Sequence, residues 1–408
     1  MTVPSYDVAV IGAGIIGLAT ARAVADRHPG TSVAVLDKEP EVGAHQTGHN
    51  SGVLHSGLYY RPGSLKARLC AQGRRSMVAL CEREGLPFVR CGKLVVATRP
   101  SEAAALDELE RRAAANGLTD VRRLDAGGMA SVEPNARGVA ALHVPETGIV
   151  DFGAVAGYLA RSLAGGVLIG HRVEAIRMSG SHVDIGTSAG VIRTRVLVNC
   201  AGLQSDRVAE MTGIEPPLRI VPFRGQYYTL GTEAAGLVRA LLYPVPDPEL
   251  PFLGVHFARR IDGTVEVGPN AVLALGREHY RGSRPSLRDL SGTLTYPGFL
   301  RVAGRHWRTG AGEVVRSLSR AAYAKEATKL LPGLRSEDLL PGRVGIRAQA
   351  VSPRGDLIDD FVIVESPGVV HVLNSPSPGA TASLAIAAHI ADLVWRQLAD
   401  RGADGGAG

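Results

Sequence analysis

The apolar run Tyr6-Asp7-Val8-Ala9-Val10-Ile11 stops abruptly at Gly12-Ala13-Gly14-Ile15-Ile16-Gly17. No other stretch constrains the fold as tightly. The β-branched run reads as a buried strand, and a helical pattern follows over 18–27. Pro29-Gly30 ends that pattern, and 32–36 reads as a second strand closing on Asp37. Strand, glycine turn, helix and strand, with an acid about 20 residues past the last glycine, make the dinucleotide-binding arrangement. Gly12 permits the tight turn. Gly14 lets the backbone approach a pyrophosphate, and Gly17 lets helix and strand pack closely. The helix N-terminus then presents unpaired N–H groups and its positive dipole end to the phosphates. Gly12, Ala13, Gly14, Ile15, Gly17 and Asp37 are therefore candidate cofactor contacts.

The chain has 408 residues, more than one ordinary core accommodates, so two domains are expected. The formal net charge of +6 suits an anionic substrate, an anionic cofactor or an anionic membrane surface. It does not point to nucleic acid, because no basic run with interleaved aromatics is present. Cys70, Cys81, Cys91 and Cys200 have no zinc-type spacing, so no metal site is expected. The N-terminus enters the first strand directly, without a leader-like segment, and no uncharged run is long enough to span a bilayer. Those features favour a cytoplasmic protein, with peripheral membrane contact left open.

A polar, glycine-rich loop, Gly43-Ala44-His45-Gln46-Thr47-Gly48-His49-Asn50-Ser51-Gly52, follows the second strand and is placed to wrap a ligand. Thr47, Asn50, Ser51 and Gly52 are its candidate contacts. Helices are expected over 65–83, 102–115 and 152–163, and strands over 88–97, 167–177, 183–185 and 191–198. The last of these stops at Asn199-Cys200-Ala201-Gly202, which makes Ala201 and Gly202 a second candidate cofactor contact. Further strands are expected over 218–230, 253–256 and 264–267. Residues 287–330 read as helix interrupted at Pro297 and Gly310. A return to the cofactor unit follows, with strands over 342–358, 362–364 and 369–373 and a helix over 380–398. Residues 401–408 read as a frayed tail. Alternating strands and helices at both ends, around an antiparallel middle, imply a discontinuous layout. The cofactor unit would take 1–85, 145–215 and 335–408, and the second unit 86–144 and 216–334.

Several polar, proline-rich strings exceed what core packing demands. They are His45-Gln46-Thr47-Gly48-His49-Asn50-Ser51-Gly52-Val53, Val221-Pro222-Phe223-Arg224-Gly225, Tyr243-Pro244-Val245-Pro246-Asp247, Pro251-Phe252-Leu253-Gly254-Val255-His256-Phe257, Val267-Gly268-Pro269-Asn270, Gly345-Ile346-Arg347-Ala348-Gln349-Ala350 and Ser375-Pro376-Ser377-Pro378. Through them the chain resembles, nearly end to end, the FAD-dependent L-2-hydroxyglutarate oxidases and dehydrogenases. These are a branch of the glycine/D-amino-acid oxidase-like flavoproteins. Asp37 departs from the Glu of many relatives, though a shorter acid still accepts from ribose hydroxyls. Ala348 after Arg347, where the wider superfamily has Pro, agrees with the narrower branch.

The resemblance implies an α/β fold: a Rossmann-type FAD-binding domain with an inserted, mostly antiparallel substrate-binding domain. It adds Lys38, Val173, Gly345, Pro378, Gly379, Ala380 and Thr381 to the cofactor set. It implies oxidation of L-2-hydroxyglutarate to 2-oxoglutarate, with a small dicarboxylate as partner and dioxygen or a membrane quinone as compatible electron acceptors. A related flavin amine oxidase acting on glycine, sarcosine or proline is the alternative. The residues can be matched to that chemistry. Arg347 suits a substrate carboxylate because a guanidinium fork binds one bidentately. Arg224 is the second candidate cation. His256 is a candidate base, since an ordinary imidazole titrates near ~6.5 and places a basic limb near neutrality. His55 is the alternative base, and Tyr59 and Tyr60 would orient substrate or flavin. His45 or His49 would be the attachment point of a covalent flavin.

Overall fold

The computed structural model describes residues 3–246, 254–280 and 285–403. Among them one eight-stranded sheet and one nine-stranded sheet dominate, with a small three-stranded sheet beside them. The first strand, Ser5–Ile11, is flanked in parallel by Val33–Leu36 and by Gly190–Asn199. Parallel pairs need crossovers, and the helix Ile15–Arg27 supplies the first. Val369–Asn374 extends the sheet in parallel beyond Gly190–Asn199. The hairpin Val173–Ser179 with His182–Thr187 adds an antiparallel edge.

Close packing at the turn explains two of the glycines. Gly12 has φ +107°, and a Cβ there would land on the Cys200 carbonyl. A Cβ on Gly17 would land on the carbonyl oxygen of Gly12. The helix therefore lies tight against the strand. Its other side packs in one core with the last helix, Gly379–Ala403, through Leu18, Ala21, Ile386, Ile390 and Val394.

The nine-stranded sheet is mostly antiparallel. Its spine is the pair Arg219–Leu230 and Leu339–Val351, in register from Arg219 opposite Val351 to Leu230 opposite Leu339. Lys93–Ala97, Leu241–Pro244, His256–Arg259 and Val265–Gly268 lie side by side within it. Residues 335–351, expected with the cofactor unit, thus contribute their long strand to the second sheet.

Several local expectations change. The single strand over 167–177 is two, Val167–Leu168 and Val173–Ser179, and the one over 342–358 runs Leu339–Val351. The single strand over 88–97 splits into Phe88–Val89 and Lys93–Ala97, because Gly92 turns the chain at φ +70°. The two halves join different sheets. Pro297 begins a helix, Pro297–Leu318, rather than merely interrupting one. That helix runs through Gly310, where the interruption was expected. Its irregular residue is His306, and the break comes at Ser319, which caps the next helix through the Ala322 N–H. The start of the strand expected over 253–256, Asp247 and the 404–408 tail lie outside the described residues. No helix among the described residues is long and apolar enough to cross a membrane.

Candidate active site

The cofactor cleft begins at the N-terminus of Ile15–Arg27, which no side chain of its cap residue Gly14 closes. Thr47 Oγ1 accepts the Ile15 N–H at 3.0 Å, bringing the polar loop over the helix end. Gly14 has extended backbone, φ −74° and ψ 169°, which any residue adopts. A Cβ there would meet only Thr47 Oγ1, at 3.4 Å. The protein's own packing does not require glycine at 14, so the open space beside it is a cradle for a ligand. Asp37 Oδ2 accepts the Ala13 N–H at 2.6 Å and Oδ1 accepts the Glu39 N–H at 2.9 Å. Each oxygen keeps a lone pair for a ribose hydroxyl.

The remaining cofactor candidates surround this point. The turn at Ala201 and Gly202 touches both sides, since Gly12 abuts Cys200 and Gly202 faces Gln46 Oε1. His171 N–H donates to the Asp37 carbonyl, which sets the strand starting at Val173 beside the acid. Pro378, Gly379, Ala380 and Thr381 open the last helix, whose Gly379 approaches Ile16. Two helix N-termini therefore meet at the cleft. Gly345 lies under His49, with a Cβ at 345 reaching 2.7 Å from the His49 carbonyl oxygen. His49 Nδ1–H donates to the Val344 carbonyl, and Arg343 donates to the Gly48 carbonyl, latching the loop to the second sheet.

Three of these candidates also make hydrogen bonds or ion pairs within the protein. Asn50 donates both amide hydrogens to the Gln46 and Thr47 carbonyls and accepts the Gly52 N–H, so it braces the loop beside Ser51. Thr381 accepts the His55 N–H and donates to the Val53 carbonyl. The Lys38 ammonium pairs with Glu39 and Glu278 and contacts His45 Nε2. This occupies the centre of the Glu39, His45 and Glu278 cluster with a cation of the chain's own. Glu278 also accepts from Gln204 Nε2 at 2.6 Å, a bracket across the cleft that sequence reasoning missed.

The chemistry-bearing side chains line one face of the nine-stranded sheet. His256 is 5% exposed and stacks on Tyr243, ring centroids 3.9 Å apart. Its Nδ1 lies 2.8 Å from the Gly254 carbonyl oxygen. A carbonyl only accepts, so Nδ1 bears the proton and Nε2 keeps its lone pair. Burial, helped by the charges of Lys93 and Arg347, lowers its pKa to about 3. The basic limb expected near neutrality is therefore displaced far into the acid range. His55 is also held well below the ordinary imidazole value, by burial and then by Lys93 and His256. Its Nε2 faces Ser377 Oγ at 3.2 Å. The Tyr59 hydroxyl is buried without a hydrogen-bond partner among the described residues, and burial raises its pKa. Burial raises Tyr60 likewise.

Arg347 shares this face by register: it opposes Phe223, which alternates in step with Thr229, and Thr229 lies across Glu266 from Ala258 and so on the His256 side. Arg224 does not. Arg347 pairs with Phe223, whereas Arg224 pairs with Ile346. Cross-strand partners share a face and neighbours along a strand alternate. Arg224 therefore projects from the opposite side, and the expected pairing of these two arginines on one substrate is corrected. On the His256 face the structure also carries Lys93, which is 1% exposed. The visible signal was a lysine inside an otherwise apolar strand, where a charged residue is rarely buried without a reason.

Residues 7–393 match the FAD dependent oxidoreductase family. The chain belongs to the FAD-dependent oxidoreductase family. FAD is accordingly its cofactor, and the cleft fits it: an open glycine cradle, two converging helix N-termini, and the buried Ser375 Oγ and His45 Nδ1 unpartnered among the described residues. Within the family, the chain is 47% identical over 397 residues to L-2-hydroxyglutarate dehydrogenase of Indibacter alkaliphilus, covering 96% of this chain and 100% of that one. It is 43% identical to L-2-hydroxyglutarate dehydrogenase of Escherichia coli, covering 97% and 94%. L-alpha-glycerophosphate oxidase from Mycoplasma pneumoniae, solved with FAD bound, superposes with TM-score 0.77 at 21% identity, covering 96% and 94%. Glycine oxidase from Geobacillus kaustophilus gives TM-score 0.73 at 21% identity, covering 97% and 95%. These last two share the family's fold.

Proposed function

We propose that the protein oxidises L-2-hydroxyglutarate to 2-oxoglutarate. The observation that supports it most is His256, a buried neutral imidazole with its Nε2 lone pair available and Arg347 on the same face. Relatives named for this activity at 41–47% identity favour it over the amine-oxidase alternative, whose named structural neighbours share little more than the fold.

The chemistry that bound FAD supplies is acceptance, at flavin N5, of the hydride leaving substrate C2. The chain's own residues do the rest. Arg347 binds the carboxylate beside C2 and fixes the carbon's orientation. His256 Nε2 takes the hydroxyl proton as the C–O bond becomes a carbonyl. Tyr59, Tyr60 and Tyr243 wall the site and exclude water. Gly14, Thr47, Asp37, Ala201 and the N-terminus of Gly379–Ala403 hold the cofactor. Anaerobic mixing with L-2-hydroxyglutarate should bleach the flavin far faster than the D enantiomer, lactate or sarcosine. Fastest bleaching by sarcosine would establish the amine-oxidase reading instead.

Peripheral membrane contact, with a quinone as acceptor, is supported by the helix Pro297–Leu318. Leu300, Trp307, Val314 and Leu318 recur at roughly helical repeats, with Trp307 62% and Leu318 83% exposed. Exposed Arg301, Arg305 and Arg308 flank this stripe. Apolar residues beside arginines suit the interface of an anionic bilayer. Co-sedimentation with anionic but not neutral vesicles, lost in Trp307→Ala/Leu318→Ala, would support the contact. Equal partition of wild type and variant would point to a water-borne acceptor such as dioxygen.

A further inference from the structure

Lys93 opens the strand Lys93–Ala97, all of whose residues are buried. Its Nζ lies 4.0 Å from the centroid of the Tyr243 ring and 4.9 Å from that of Tyr59. Among the described residues it forms no ion pair. Acids of neighbouring segments are committed elsewhere: Glu266 to Arg260 at 3.5 Å, Asp359 to Lys66 at 2.6 Å, and Glu146 to Arg74. A buried ammonium held only by ring faces lacks the counter-charge that burial ordinarily demands.

The sheet register says where that counter-charge would sit. Lys93 pairs with Leu241, and Val95 with Tyr243, so Lys93 and Tyr243 share a face. Leu242 pairs with Phe257, which puts His256 on that same face beside Tyr243. The order across the strands is Lys93, Tyr243, His256. Arg347 lies on the same face on the other side of His256, on the long strand Leu339–Val351, three strands further along. Two cations thus flank one neutral base. Two strand spacings and a two-residue offset along the strands, together about 12 Å, separate the Lys93 and His256 backbones, a gap that a lysine side chain and a five-carbon diacid bridge together.

We propose that Lys93 binds the distal carboxylate of a dicarboxylate 2-hydroxy acid, while Arg347 holds the carboxylate beside the reacting carbon. The assignment rests on the proposed reaction at C2. His256 must meet the hydroxyl, so the adjacent carboxylate lies on the Arg347 side and the far one reaches past Tyr243. Lys93 is then what separates a diacid from lactate-like monoacids, a discrimination that Arg224 on the far face cannot supply.

Protonation gives an independent signature. Burial lowers the Lys93 pKa to about 7. The other titratable groups facing it stay neutral around that pH. Tyr59, Tyr243, Cys70 and Cys91 are raised by burial, and His55 and His256 are lowered. A diacid therefore binds the protonated form, and its affinity falls about tenfold per pH unit above neutrality.

The test uses FAD-loaded wild type, Lys93→Met and Lys93→Arg. Lys93→Met keeps length and apolar packing while removing the charge, so flavin content and melting temperature should be retained. Flavin reduction by L-2-hydroxyglutarate and by L-2-hydroxybutyrate is compared. Lys93→Met should lose roughly 100-fold in efficiency with the diacid and stay within about threefold with the monoacid. Lys93→Arg should recover part of the preference. Glutarate, a diacid without the hydroxyl, is titrated separately through its perturbation of the flavin spectrum. Its affinity should weaken above pH 7 in wild type and be flat and weak in Lys93→Met. An unchanged diacid-to-monoacid ratio, or equal glutarate affinity in both proteins, overturns the assignment. If neither hydroxy acid reduces the wild-type flavin, the proposed function fails, and glutarate binding alone then decides for or against Lys93.

Discussion

His256 lies flat against Tyr243, the two rings inclined by 17°. The stack and the Gly254 carbonyl fix which nitrogen faces the site, and burial keeps the ring neutral down to about pH 3. Wild-type flavin reduction should accordingly show no limb near pH 6.5 from this residue. His256→Ala should slow reduction by about 10²–10⁴-fold while weakening substrate binding much less. Stopped-flow reduction across pH, with His55→Ala alongside, decides which histidine takes the proton. A large defect in His55→Ala alone would reassign the base.

The same burial has a consequence for stability. His256 titrates near 3 in the folded chain, and His371, fully buried, near 4. An unfolded imidazole titrates near ~6.5. Below that value the unfolded chain takes up protons that the native chain refuses. These groups therefore lower stability as pH falls from about 6.5 toward 4 and 3. Thermal unfolding should show a shallower acid slope in His371→Leu than in wild type. An equal slope would mean that the ring protonates in the native state.

Arg347→Lys should cost about 2–4 kcal/mol in transition-state binding, because an ammonium cannot reproduce the fork. Arg224→Lys, on the opposite face, should change the rate of flavin reduction by less than about threefold. Comparable losses in the two variants would show that the sheet register does not govern substrate contact.

Gly14→Val and Gly17→Val should fail differently. At 14 the backbone is ordinary and the added side chain points into the cofactor cradle, so the protein should fold but lose FAD. At 17 the added Cβ strikes the Gly12 carbonyl, so folding itself should suffer. Circular dichroism and flavin content measured together separate the two. Full FAD occupancy in Gly14→Val would remove the cradle from the cofactor site.

Arg277 and Asp206 form a buried bidentate pair, and Asp206 also accepts the Ile220 N–H. Arg277→Met should destabilise the protein by roughly 3–5 kcal/mol by leaving the carboxylate buried and unpaired. Arg277→Met/Asp206→Leu should recover most of that loss in denaturant titrations.

The cofactor side of the site was legible because its parts are contiguous. Gly12, Gly14, Gly17 and Asp37 lie within one strand-helix-strand unit, where short-range sterics and helix-end chemistry prescribe residue types. Arg347 and His256 stood out by their own chemistry, a guanidinium fork suited to a carboxylate and an imidazole suited to a base. Asn50 and Thr381 were chosen as cofactor contacts from the sequence alone, and only the tertiary structure shows that they also brace the protein's own backbone.

The order of glycines, apolar runs and acids by itself determined the nucleotide fold, since that depends on local backbone geometry, and the resemblance carried by the polar, proline-rich strings pointed to flavin chemistry. Tertiary structure decided the substrate face. Lys93, Tyr243 and His256 come from three strands that meet only through sheet pairing. Whether Arg224 or Lys93 joins Arg347 there depends on register, and a shift of one residue turns every side chain of a strand to the other face.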